Sequence, residues 1–110
     1  MKTMTFLEFA RVREEEDWRL IDVRERDEWD AVHAVGAELH PLSLFRRGEF
    51  PAPDDRPVAV ICASGGRSAM AAQILESRGW PEVANIVDGT MGAMRAGEEH
   101  VERDASNFVV

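Results

Sequence analysis

The chain has 110 residues, enough for one domain that buries about two-thirds of its unfolded surface around a single core. Its 21 acidic and 13 basic residues give a formal charge of −8, which argues against the basic patches that non-specific nucleic-acid or anionic-membrane binding depends on. One cysteine excludes an intramolecular disulfide and a CxxC redox pair, and with the scattered His33, His40 and His100 it gives no zinc-ligand spacing.

The start Met1-Lys2-Thr3-Met4-Thr5-Phe6 lacks the long apolar core of a signal peptide. No stretch approaches the roughly 18 apolar residues of a membrane helix. The expectation is a soluble cytoplasmic protein with no nucleic-acid or membrane partner, no metal and no cofactor.

In chain order, Thr5-Phe6-Leu7-Glu8 has the form of a capping box and predicts a helix running to about Glu15. The acidic run Glu14-Glu15-Glu16-Asp17 reads as a solvated helix end and turn, with no catalytic role. Arg19 to Val23 reads as a strand, Arg26 to Val32 as a short helix and Gly36 to Leu39 as a short strand. Ser43 to Arg47 is one helical turn before the Pro51-Ala52-Pro53-Asp54-Asp55 loop. Val58 to Ile61 is an internal strand, and Arg67 to Arg78 a helix that Gly79 stops. Val83 to Val87 is the last clear strand and Thr90 to Ala96 a short helix. The alternation predicts an α/β sandwich of three layers, a mainly parallel central sheet with helices on both faces. The expected organisation is a single domain over residues 1–110, with its core at about 5–97 and a tail of unassigned structure at 98–110. Within that tail, Phe108-Val109-Val110 has the character to dock on the body or on a second subunit. Trp18, Trp29 and Trp80 read as packing residues.

The chemistry concentrates at Cys62. On position alone, a lone cysteine after an apolar strand reads as a small core residue. The residues after it change that reading. Gly65 and Gly66 allow backbone geometry and close approach that side chains forbid, and Arg67 adds a fixed cation. Ser68 opens the helix. Free amides at a helix start, reinforced by the helix dipole, stabilise an anion, so a cysteine in that field ionises more easily and becomes nucleophilic.

Cys62 to Ser68 resembles the Cys-x-x-Gly-x-Arg-Ser active loop of rhodanese-like sulfurtransferases. The resemblance extends to Leu20-Ile21-Asp22-Val23-Arg24, to Glu28-Trp29 with His33 and Gly36-Ala37, to Pro41, and to Arg78-Gly79-Trp80 with Val83-Ala84-Asn85-Ile86-Val87-Asp88-Gly89. It runs from about Thr5 to Gly97. Val32, Thr90 and Met94 depart from the family pattern, which usually has glycine, glycine and tryptophan at those positions.

The resemblance implies a rhodanese-like fold and a sulfurtransferase that uses Cys62 as catalytic nucleophile. Ala63, Ser64, Gly65, Gly66, Arg67 and Ser68 would bind the substrate, with backbone amides stabilising the anionic sulfur. The implied partners are a small anionic sulfur donor such as thiosulfate, a thiol or cyanide acceptor, and a sulfur-relay protein as an alternative source of sulfur. Asp22 and Arg24 have a supporting, structural role near the loop. Glu28 is expected to pair with Arg24, and His33 to make a hydrogen bond near the Gly36 turn, because an ionised thiolate needs no general base. Two other readings stay open: a rhodanese-fold relay or interaction module without thiosulfate turnover, and a phosphatase or arsenate reductase. Tyrosine phosphatases carry Cys-x5-Arg, whereas the spacing here is Cys-x4-Arg, which puts Ser68 where a phosphatase needs its arginine.

Overall fold

The computed structural model of the protein describes residues 1–103. Among the described residues, the strands are β1 Lys2–Met4, β2 Arg19–Asp22, β3 His33–Ala34, β4 Ala37–Leu39, β5 Val58–Ile61, β6 Val83–Ile86 and β7 Val101–Glu102. The α-helices there are α1 Phe6–Glu15, α2 Arg26–Ala31, α3 Leu42–Phe45, α4 Gly66–Ser77 and α5 Gly89–Ala96. Five strands form one parallel sheet in the order β1-β6-β5-β2-β4, and β3 pairs antiparallel with β7 in a separate two-stranded sheet.

The pleat of β5 sorts the core. Alternate residues of a strand face opposite sides of its sheet. Val58 and Val60 join a cluster with Ile21, Ala71, Ala72, Leu75, Leu42 and Phe45, so α3 and α4 cover that face. Ala59 and Ile61 join Phe6, Phe9, Leu20, Ile86 and Ala93, so α1 and α5 cover the other. All four β5 residues are fully buried, which is why this strand is continuously apolar rather than alternating. Each large apolar side chain sealed in this way contributes about 2 kcal/mol of transfer free energy. One step beyond β5, the pleat turns Cys62 toward the α4 side, among Val60, Ala71 and Ala72.

The strand and helix predictions hold with small shifts at their ends, and the sheet is wholly parallel. Three short strands were not expected. β1 has three residues, two of them exposed, and exists because its backbone pairs with β6 from Lys2↔Ala84 to Met4↔Ile86. β3 and β7 have two residues each, too few to show a period, and are held by the registers His33↔Glu102 and Ala34↔Val101. Residues 98–103 thus lie along the body as a 3-10 turn, Glu98–His100, followed by β7. Phe108-Val109-Val110 lies outside the described residues. Among the described residues, no helix is long and apolar enough to cross a membrane.

The capping box is formed as expected: the Glu8 amide donates to Thr5 Oγ1 at 3.2 Å, and the Thr5 amide donates to Glu8 Oε1 at 2.9 Å. Thr5→Ala removes a side-chain partner for an amide with no intrahelical acceptor, and is expected to cost about 1 kcal/mol in urea unfolding with the slope of the transition unchanged.

Candidate active site

Cys62 follows the central strand at the carboxyl edge of a parallel sheet, the edge at which ligands bind in open α/β folds. Its backbone is clamped from the first turn of α5. The Thr90 amide and hydroxyl both donate to the Cys62 carbonyl, at 2.8 and 3.2 Å, and the Met91 amide donates to the Ala63 carbonyl at 3.2 Å. Gly89, at φ +58°, permits this approach, because a Cβ there would collide with both carbonyls. Thr90 stands where the family usually has a second glycine, and its hydroxyl adds a bond that glycine cannot make.

Cys62 is only 1% exposed. The Gly65 amide donates to Cys62 Sγ at 3.1 Å, and Ser68 Oγ lies 3.4 Å from the sulfur. Burial pushes the thiol pKa up, but the Ser68 hydroxyl and the amides of Ser68, Ser64 and Gly65 outweigh it and bring Cys62 below its ordinary value. Ala63 contributes its carbonyl to the clamp. Of the two glycines, Gly65 carries the constraint: it caps α4 at φ +101°, and a Cβ would press within 2.5 Å of the Val87 carbonyl oxygen. Gly66 has open space around its Cα and a φ outside the left-handed region.

Arg67 is not a free cation. Its two terminal nitrogens donate to the two oxygens of Glu28 at 2.8 Å each, across the gap between α4 and α2. The expected Glu28–Arg24 pair is therefore replaced by Glu28–Arg67, with Arg24 contributing only a more distant charge. The bidentate bond from Arg67, opposed by partial burial, brings the Glu28 pKa down to about 2, and Glu28 in turn raises that of Arg67.

Arg24 instead grips Asp22. Arg24 Nε lies 3.1 Å from both Asp22 oxygens, Nη2 lies 2.9 Å from Oδ2, and the Arg24 amide donates to Oδ1 at 2.9 Å. Both side chains are buried, and Arg24 Nη2 also donates to the Val32 carbonyl at 2.6 Å. The pair braces the end of β2 against α2 next to the cysteine's strand, since Asp22 lies in register with Ile61. His33 stacks on Trp29 at 3.7 Å, with Nδ1 2.9 Å from the Trp29 carbonyl and Nε2 3.4 Å from Glu102. Both of its ring nitrogens are thus engaged away from Cys62.

Asn85 was missed by sequence reasoning. It is buried on β6, accepts from the Ser68 hydroxyl and donates to the Gly65 carbonyl at 3.2 Å. The signal was present: it is the one polar residue in the Val83-Ala84-Asn85-Ile86 strand. Among the described residues, no group of three or more His, Cys, Asp or Glu is arranged to hold a metal ion. A cavity of about 370 Å³ bordered by Lys2, Glu76, Trp80 and Glu82 opens at the amino ends of β1 and β6, the edge opposite Cys62. Lys2 there is paired with Glu82.

The sequence pattern of the rhodanese-like domain matches residues 5–96, which takes in the whole Cys62 loop and both elements that clamp it. The chain belongs to the rhodanese-like domain family. It is 40% identical over 86 residues to the probable adenylyltransferase/sulfurtransferase MoeZ of Mycobacterium tuberculosis, a match covering 70% of this chain and 22% of MoeZ. The chain thus spans less than a quarter of that larger relative. It is 32% identical over 90 residues to the thiosulfate sulfurtransferase GlpE of Coxiella burnetii, covering 80% of this chain and 82% of GlpE. The crystal structure of a rhodanese-like domain protein from Staphylococcus aureus superposes with a TM-score of 0.77 at 25% identity, covering 94% of this chain and 98% of that one.

The two glycines are expected to respond oppositely to alanine. Gly65→Ala forces a side chain into a left-handed position and against Val87, at a cost of about 2 kcal/mol or more, and slows alkylation of Cys62. Gly66→Ala, at the first residue of α4, leaves alkylation unchanged and stabilises by up to about 1 kcal/mol. Urea unfolding and iodoacetamide kinetics read both.

Acid titration tests the Glu28–Arg67 pair. A carboxylate whose folded pKa is depressed adds stability that is complete above its unfolded value and lost as pH falls through the folded value. Glu28 therefore stabilises fully above its ordinary 4.5 and loses the effect progressively down to about pH 2. Glu28→Gln is expected to flatten that part of the stability profile, measured by thermal melting across the window.

Proposed function

We propose that the protein is a cytoplasmic sulfurtransferase that moves a sulfane sulfur from thiosulfate or a similar donor to a thiol or cyanide through a persulfide on Cys62. The observation that carries this reading is the sulfur itself, held at the carboxyl edge of the sheet by the Gly65 amide in a Cys-x4-Arg loop. The Cys62 thiolate attacks the outer sulfur of thiosulfate, the sulfur–sulfur bond of the donor breaks, and sulfite leaves with the bonding electrons. The persulfide anion stays on Cys62. Acceptor thiolate or cyanide then attacks the outer sulfur, leaves as a new persulfide or as thiocyanate, and restores the Cys62 thiolate.

The loop's amides act by preorganisation: they are fixed by Gly65 and by the start of α4 before charge arrives, so no solvent need reorganise. Ser68 supports the sulfur at 3.4 Å. Arg67 presents a cation at the rim, reduced in reach by its bidentate pairing with Glu28. The same pairing weighs against a phosphatase, in which arginine must offer its fork to phosphate. Likeness to GlpE, a thiosulfate sulfurtransferase by name, supports turnover of thiosulfate. Likeness to one part of the larger MoeZ supports a second reading, in which the Cys62 persulfide is filled by a protein partner.

Incubation with thiosulfate alone is expected to add the mass of one sulfur atom at Cys62, removed again by a thiol, and Cys62→Ser to abolish both this adduct and thiocyanate formation while remaining folded. Intact-protein mass spectrometry and a thiocyanate assay measure the two. A protein inert to thiosulfate but loaded by a protein persulfide would assign it to the relay, and phosphate release dependent on Cys62 would overturn the sulfurtransferase reading.

A further inference from the structure

Ser68 has one hydrogen and two neighbours that can take it. The Gly65 carbonyl can only accept, so the Asn85 group facing it at 3.2 Å is the amide Nδ2, and Oδ1 is the atom turned to Ser68. Ser68 must then donate to Asn85. That leaves a lone pair of Ser68 Oγ facing Cys62, and the sulfur fills the donor role as a thiol at 3.4 Å. All three side chains are buried, so water does not readily substitute for a lost partner.

Ionisation reverses one link. A thiolate has no hydrogen to give and accepts instead, which calls the Ser68 hydrogen toward sulfur and leaves Asn85 Oδ1 without its donor. Charge-assisted hydrogen bonds are the stronger kind, so the hydrogen follows the charge, but it does so against the pull of Asn85. We propose that Asn85 is a positioning residue that sets the direction of the Ser68 hydroxyl and thereby limits the thiolate fraction of Cys62 in the resting protein. When Cys62 carries a persulfide, the charge sits on the outer sulfur and the Ser68 hydrogen returns to Asn85. This deepens the sulfurtransferase reading and uses its nucleophile, but it concerns only the acid–base state of Cys62.

The other charges around Cys62 come from separate elements and stay in place when Asn85 is changed. They are Arg67 on α4 with its partner Glu28 on α2, the Asp22–Arg24 pair at the end of β2, and Asp88 in the β6–α5 turn, whose carboxylate accepts from the Phe6 amide at 2.7 Å.

The test is the pH dependence of iodoacetamide alkylation of Cys62, which needs no sulfur donor and so stands apart from any failure of sulfur transfer. Asn85→Leu removes the competing acceptor at similar volume, and is expected to move the alkylation midpoint down by about half to one unit, a three- to tenfold rise in thiolate at a fixed pH below the midpoint (about 1.4 kcal/mol per tenfold). Asn85→Asp offers Ser68 a stronger acceptor and adds negative charge, and is expected to move the midpoint up. In a Ser68→Ala background, Asn85→Leu is expected to move it by less than about a third of the single-variant shift, because the hydroxyl that links the two residues is gone. Opposite shifts from Leu and Asp, with coupling through Ser68, support the positioning role. Shifts of the same sign, or an undiminished Leu shift without Ser68, overturn it, even if the Cys62 persulfide forms normally from thiosulfate.

Discussion

Everything at the site depends on the close approach of two backbones. The loop after β5 and the turn after β6 press together at Gly65 against Val87 and at Gly89 against Cys62 and Ala63. Neither approach admits a Cβ. The contact fixes the Cys62 carbonyl on Thr90, which orients the residue's backbone, and it holds Gly65 in the left-handed conformation that turns its amide back onto the sulfur. A nucleophile placed on an adjustable loop would need its amides to be gathered for each reaction. Here parallel pairing of β5 with β6, from Val58↔Val83 to Val60↔Asn85, sets the spacing of the two turns before any side chain is considered.

Around that contact, charge is arranged in closed pairs. Asp22 and Arg24 are buried together and satisfied by four bonds between them, so they behave as a brace, and removal of either partner would strand the other at a cost of about 3–5 kcal/mol. Glu28 and Arg67 form a second, half-exposed pair at the rim. Glu28 also accepts from the Glu25 amide at 3.0 Å, so one carboxylate caps α2 and fixes the loop arginine at once. This double use explains how a short, otherwise solvated helix can be tied to the reactive loop. The field at the sulfur is therefore set mainly by fixed dipoles, the amides and the Ser68 hydroxyl, and less by a bare cation.

The sequence was most legible where a local rule applied. Thr5 and Glu8 announced a helix start through chemistry contained within four residues, and the run Val58 to Ile61 announced a buried strand by composition alone. Cys62 was legible because its loop stands at the junction of two such elements. Long-range choices were not. Arg24 was the expected partner for Glu28, but the pair that forms is with Arg67, a contact spanning 39 residues, while Arg24 finds Asp22 only two residues away. β3 and β7 are too short for a period of two to register, and β1 is an exposed edge whose strand character comes from β6. The two glycines looked equivalent in sequence. The left-handed φ of Gly65 and the Val87 carbonyl beside it distinguish them, and that neighbour comes from the turn after β6, far along the chain.

Burial of the sulfur and the proposed two-step cycle are compatible because the two steps make different steric demands. Cys62 is 1% exposed, so the first attack requires a donor that presents a slender, terminal sulfur to the mouth of the loop. Once transferred, that sulfur lies one sulfur–sulfur bond, about 2 Å, farther out than Sγ. Within the same loop, Ser64 and Gly66 are exposed. In the proposed cycle the acceptor attacks this outer sulfur, while Sγ keeps the Gly65 amide as its donor. The tighter steric demand thus falls on the loading step, where the attacking atom is the buried Sγ itself.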